Sequence, residues 1–168
     1  MLQDLTLKGC IEFAIATEEF GAEKYSHLAK KFSDIPDVSK LFARLSEDEQ
    51  VHREQFSGLL RQIPESAVKD PSGQTDDYLK AMSYSIFFSR YHGPFKNPET
   101  IKDRDDALQK ALEFEKATLG FYKAVEEVQG TSAPLASIIT AERSHISAIM
   151  KALLVEGSEF RSMEDSWT

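Results

Sequence analysis

A-E-R-S-H, residues 141–145, sets Glu142 three positions before His145 in a segment whose neighbouring inward positions, Ile138 and Ile149, are apolar. Residues three apart share one face of an α-helix, so a carboxylate and an imidazole point together toward what should be core. The spacing recurs in E-D-E-Q-V-H, residues 47–52, where Glu49 and His52 interrupt a stripe running from Leu45 to Phe56. A single Glu-x-x-His decides nothing, because 17 glutamates and 4 histidines among 168 residues give about 0.4 chance occurrences. Two copies, each in mid-helix on the apolar side, govern how the rest of the chain is read.

Working outward, helical periodicity dominates. From Leu7 to about Lys31, Ile11, Ala14, Ile15, Ala22, Leu28 and Ala29 fall on one face. S-D-I-P-D breaks this pattern: Asp34 or Pro36 ends the first helix and Asp37 can cap a second over residues 37–63, which Pro64 stops. A third helix follows the acidic K-D-R-D-D and runs to Val128, with Leu108, Ala111, Leu112, Leu119, Tyr122 and Val125 inward and Gly130 as its cap. The fourth covers about 132–155, closed by Gly157. Residues 64–103 carry loop signals around a shorter helix capped by Thr75. The pattern predicts an all-α protein: two antiparallel helical hairpins joined by a long crossover containing a short helix. One crossover is the connectivity of ferritin-like four-helix bundles. The bundle domain spans residues 1–157 and a C-terminal tail spans 158–168.

The stripes have polar gaps in the same layer of every long helix. Glu18 interrupts the first, Glu49 and His52 the second, Glu115 the third, Glu142 and His145 the fourth. The halves repeat: Glu18 precedes Tyr25 by seven residues, and Glu115 precedes Tyr122 by seven. From each of these glutamates to the next Glu-x-x-His is 31 residues in the first half and 27 in the second, a difference of about one helical turn. Four carboxylates in one apolar layer repel one another and resist desolvation. Two multivalent cations would cancel that charge, and an oxygen and imidazole set without thiolates suits iron or manganese better than structural zinc. Tyr25 and Tyr122, inward-facing phenols that need partners, are expected to bond a ligand carboxylate of the opposite hairpin and so orient it.

Other features narrow the field. A net charge of −8 without a basic tract argues against nucleic acid as a partner. Cys10 is the one cysteine, excluding an internal disulfide and fitting a small core residue in a reducing compartment. Without a signal-like N-terminus or a membrane-spanning apolar run, a cytoplasmic location without membrane contact is expected. Glu19, Glu23, Glu113, His27 and His92 read as surface groups; Asp48, beside the second motif, reads as a residue standing behind the ligands or, as the expectation here, a surface group. The crossover aromatics Tyr78, Tyr84, Phe87, Phe88, Tyr91 and Phe95 exceed what a short helix buries on one face. They pack across the bundle end or, as the expectation here, form a homodimer interface.

With Glu18 and Tyr25, Glu49 and His52, Glu115 and Tyr122, and Glu142 and His145 in place, the chain resembles the ferritin-like superfamily and its rubrerythrin-like branch over about residues 7–155. The resemblance implies a cofactor of two iron ions, with manganese or a mixed pair as the variant. Glu49 and Glu142 would bridge or cap the metals, and each histidine would complete one. It implies a non-haem oxidoreductase reducing peroxide or dioxygen at a carboxylate-bridged dinuclear centre, or alternatively an iron-binding ferroxidase for storage or detoxification. Two departures stand out. The four-cysteine rubredoxin domain of such proteins has no counterpart here, so electrons would come from an external donor or from ferrous iron. Where they carry a further glutamate three residues along the third helix, this chain has Thr118.

Overall fold

The computed structural model describes residues 7–63, 95 and 100–154, and four α-helices account for nearly all of them. Helix α1 spans Leu7–Lys31 and carries Lys30 and Lys31 in its last turn, where cations suit the helix dipole. Helix α2, Pro36–Leu60, starts on its proline, whose missing N–H is not needed in a first turn. Its N-cap is Ile35, which makes no side-chain cap bond, so Asp37 lies inside the first turn instead of capping it. Helix α3, Arg104–Gln129, also departs from expectation: Asp103 caps it by accepting the Asp106 N–H at 2.9 Å. The acidic run therefore opens this helix instead of preceding it. Gly130 ends α3 at φ 82°, a backbone region that glycine enters without penalty. Helix α4 spans Ala133–Leu154.

α1 packs on α2 and α3 on α4, and the two hairpins meet through α2 against α4 and α1 against α3. The apolar core comes in two parts. One gathers Tyr25, Leu28, Phe42, Leu45, Leu108, Phe114 and Ile149. The other gathers Ile11, Ala14, Phe56, Tyr122, Leu135 and Ile138. Chain order places the polar residues between these halves on every helix. The end of α2 belongs to the second half and the start of α3 to the first, so their connection joins opposite ends of the bundle. The short helix expected within 64–103, its aromatics other than Phe95, and the tail at 158–168 lie outside the described residues.

Phe95 is described, and it settles one alternative for itself. It is buried among this chain's own rings, edge-on to Tyr25 at 5.9 Å and to Phe114 at 5.6 Å. Intrachain packing, not a subunit interface, accounts for that aromatic.

Close helix approach positions the polar layer. Ser46 on α2 donates to the Ala22 carbonyl of α1 at 2.8 Å, and Ser39 donates to Ala29 at 2.8 Å. Gly21 directly precedes the first of these contacts: a Cβ there would sit 3.2 Å from the Phe114 ring and 3.4 Å from Cγ of Glu49. The absent side chain leaves the room into which Glu49 is pressed.

Candidate metal centre

The six polar residues that interrupt the stripes converge. All are buried, with Glu18, Glu49, Glu115 and Glu142 at most 1% exposed and both histidines at 4%. His52 directs Nδ1 inward, 3.1 Å from Glu49 Oε2, 3.1 Å from Glu142 Oε1 and 3.7 Å from Glu18 Oε2. His145 directs its own Nδ1 inward, 3.2 Å from Glu115 Oε2, 3.9 Å from Glu49 Oε1 and 4.0 Å from Glu142 Oε2. The imidazoles stack with ring centres 5.5 Å apart. Two groups emerge whose ligand atoms lie within 4.8 Å of one another: Glu18, Glu49, His52 and Glu142, and Glu49, Glu115, Glu142 and His145. Glu49 and Glu142, the glutamates of the paired motifs, belong to both.

The tyrosines reach across the hairpins. Tyr25 on α1 donates to Glu115 on α3, and Tyr122 on α3 donates to Glu18 on α1. Both phenols are fully buried, and burial followed by the adjacent carboxylates raises each well above its ordinary range. They therefore stay protonated and serve as fixed donors. Each glutamate that belongs to a single group is thus anchored, whereas the shared pair has free valence. Among the described residues, Glu49 Oε1 and both oxygens of Glu142 are buried without a hydrogen-bond partner. His52 Nδ1 is as near Glu142 as Glu49, but its hydrogen bond runs to Glu49.

Orphaned carboxylate oxygens in a fully enclosed layer are rare in folded proteins unless something else satisfies them. Oxygen-rich sets with one imidazole apiece fit two iron or manganese ions, with the unpartnered oxygens in the shared positions.

Without metal the layer balances itself with protons. Burial, then the charges of Glu18 and the other glutamates, lifts Glu49 well above the usual carboxyl range. Burial and the charges of Glu115 and Glu18 do the same to Glu142. Burial also pushes Glu115 up, but the hydrogen bond and charge of His145 outweigh it and leave Glu115 below its ordinary value. For His52, burial disfavours the imidazolium, yet the neighbouring carboxylates of Glu18 and Glu49 prevail and raise it from 6.5 to about 10.

These shifts give a sign for pH dependence. Glu49, Glu142 and His52 all bind protons more tightly folded than unfolded. Their contribution to metal-free stability is complete below the unfolded value and lost as pH rises through the folded one; for His52 that window runs from 6.5 to about 10. In that window each proton held only by the folded state lowers stability by up to about 1.4 kcal/mol per pH unit. Metal displaces those protons, so its affinity rises over the same window. Denaturation with and without metal should show the metal-free midpoint falling from about pH 6.5 to about pH 9 while the gain from metal widens.

The rubrerythrin family model matches residues 10–154, nearly the whole described bundle. The chain belongs to the rubrerythrin family. That membership implies a di-iron carboxylate site, and the Glu/His layer consists of buried groups able to hold metal. No curated protein and no solved structure gives a significant match. No described helix is long and apolar enough to cross a membrane.

Glu19, Glu23, Glu113 and His27 are exposed and Cys10 is buried, as read from their positions. His92 lies outside the described residues. Asp48 is not a plain surface group: its Oδ2 lies 3.3 Å from His145 Nε2, on the far side of that ring from the glutamates. Its position directly before Glu49 was the available signal, since one residue's rotation carries it toward the neighbouring helix. Thr118 is buried and donates to the Phe114 carbonyl at 3.0 Å, so it turns its hydroxyl to its own helix.

Proposed function

We propose that the protein is a non-haem di-iron oxidoreductase that reduces hydrogen peroxide or dioxygen. The observation carrying this reading is the pair of metal-competent groups sharing Glu49 and Glu142. A shared pair of carboxylates would hold two ions that could act together on one small oxidant. When bound, two ferrous ions supply the two electrons that, with two protons, convert peroxide to two waters.

The chain's own residues would prepare that step in distinct ways. Glu18, Glu49, His52, Glu115, Glu142 and His145 would hold the metals, with iron as the expected pair and manganese as the variant. Tyr122 and Tyr25 hold Glu18 and Glu115 in fixed orientation from the opposite hairpin. The free oxygens of Glu49 and Glu142 can change partners without breaking a hydrogen bond. A cleft of about 1100 Å³ between α2 and α4 is walled in part by His52, His145 and Asp48, and it gives a small oxidant a route to the imidazole side.

A second reading, a ferroxidase serving iron storage or detoxification, draws support from Thr118. The layer has no further carboxylate at that position to follow a metal as its charge changes. The discriminating experiment loads the protein anaerobically with two ferrous ions per chain and adds peroxide. Consumption well above that of free ferrous ion, with iron staying at two per chain, is the expected result. Peroxide loss at the free-ion rate contradicts the oxidoreductase reading, and iron accumulating well above two per chain favours the storage role.

A further inference from the structure

The internal repeat pairs Glu49 with Glu142 and His52 with His145, so the residue directly before each glutamate should also correspond. Those residues are Asp48 and Ala141. The difference falls at a sensitive place. His145 turns Nδ1 to the glutamates and Nε2 to Asp48 Oδ2 at 3.3 Å. Asp48 is in turn 3.7 Å from Nε of Arg44, an exposed residue one turn earlier on α2. His52 also turns Nδ1 to the glutamates, but among the described residues no carboxylate faces its Nε2. Ala141, which would have to supply one, lines the same cleft as His52 with only a methyl group.

A carboxylate behind an imidazole accepts its outer N–H. That holds the proton on the outer nitrogen, leaves the inner lone pair directed at the metal and strengthens it as a ligand. Removing such a partner typically lowers metal affinity by about 10- to 100-fold.

We infer that the two halves of the centre are inequivalent: Asp48 positions His145 so that the Glu115/His145 half holds its metal tightly, while the Glu18/His52 half exchanges its ion. The inference rests on the metal-centre reading above and goes beyond it, because the six candidate ligands by themselves are symmetric. Asp48 is a positioning residue, acting through His145. Loading is therefore ordered. The first ion enters beside His145, and the second is the one lost first on dilution or chelation.

The test is calorimetric titration of the full chain with manganese(II), with unbound ion counted by its electron paramagnetic resonance signal. The parent chain should bind in two steps about 10- to 100-fold apart. Asp48→Asn should weaken the tighter step by about that factor and leave the other unchanged. Ala141→Asp, which places a carboxylate at the equivalent position, should tighten the weaker step. Two equal steps in the parent chain, or an Asp48→Asn variant that weakens both steps alike or neither, would overturn the inequivalence while leaving the metal centre standing. Absence of saturable binding by the parent chain would overturn both.

Discussion

Glu142→Met is expected to stabilise the metal-free protein by about 1–3 kcal/mol and to abolish the stabilisation that metal gives the parent chain. Glu142 is fully buried, and neither carboxylate oxygen has a hydrogen-bond partner among the described residues. Burial, and then the charges of Glu115 and Glu18, raises its pKa well above the ordinary carboxyl range. A side chain under those conditions opposes folding, and methionine of similar length fills the space without the desolvation penalty. In the metal-bound protein the ledger reverses. Glu142 belongs to both groups, so its loss strips a ligand from each. An ion present at 100 times its dissociation constant stabilises the folded state by about 2.7 kcal/mol, and this gain should vanish in the variant. Urea denaturation of both proteins, with and without manganese(II), reads the two effects side by side. A variant less stable than its parent without metal would mean that Glu142 supports the fold itself.

Phe114→Ala is expected to cost about 3–5 kcal/mol, a large share of the roughly 5–15 kcal/mol that holds a typical domain together. Phe114 is 1% exposed and lies beside Glu115 in sequence. Its ring meets Phe20, Tyr25 and Phe95 at centre distances of 5.9, 6.3 and 5.6 Å. It is also the nearest neighbour of the space at Gly21. Alanine would leave a cavity between α1 and α3 beneath Tyr25, the donor that fixes Glu115. Metal affinity of the Glu115/His145 half should fall along with stability. Phe114→Leu, which keeps most of the volume, should lose much less of both. Urea midpoints for the two variants, with metal titration of each, separate packing from ligation. Equal losses for leucine and alanine would show that ring shape, not volume, is what this position requires.

Much of this architecture was legible because the helices announce themselves by period and the polar layer by its exceptions. Glu18 and Glu115 were recognisable as inward because apolar residues flank them at three- and four-residue spacing, and burial makes ionised groups conspicuous there. A buried phenol needs a partner, so a carboxylate of the opposite hairpin was expected for Tyr25 and Tyr122, but that these are Glu115 and Glu18 depends on how the hairpins pack. Phe114 and Phe121 were harder to place. A single inward stripe accommodates Glu115 and Tyr122, but the buried arc of a bundle helix is wide enough to take their immediate neighbours too. The start of α3 was missed because D-R-D-D reads equally as loop or first turn, and only the Asp103 cap decides between them. Asp48 was left between a surface position and one behind the ligands for a related reason. Its role depends on how α4 lies against α2, which one helix's periodicity does not contain.

The central claim is that one buried layer holds two metal ions through shared glutamates. Its most direct measurement is an anaerobic ferrous titration of metal-free protein, with bound iron determined by elemental analysis after separation from free ion. The account predicts saturation at two ions per chain, falling to one in His145→Ala and to none held tightly in Glu142→Met. Saturation at one ion in the parent chain, or two ions retained by Glu142→Met, would contradict it.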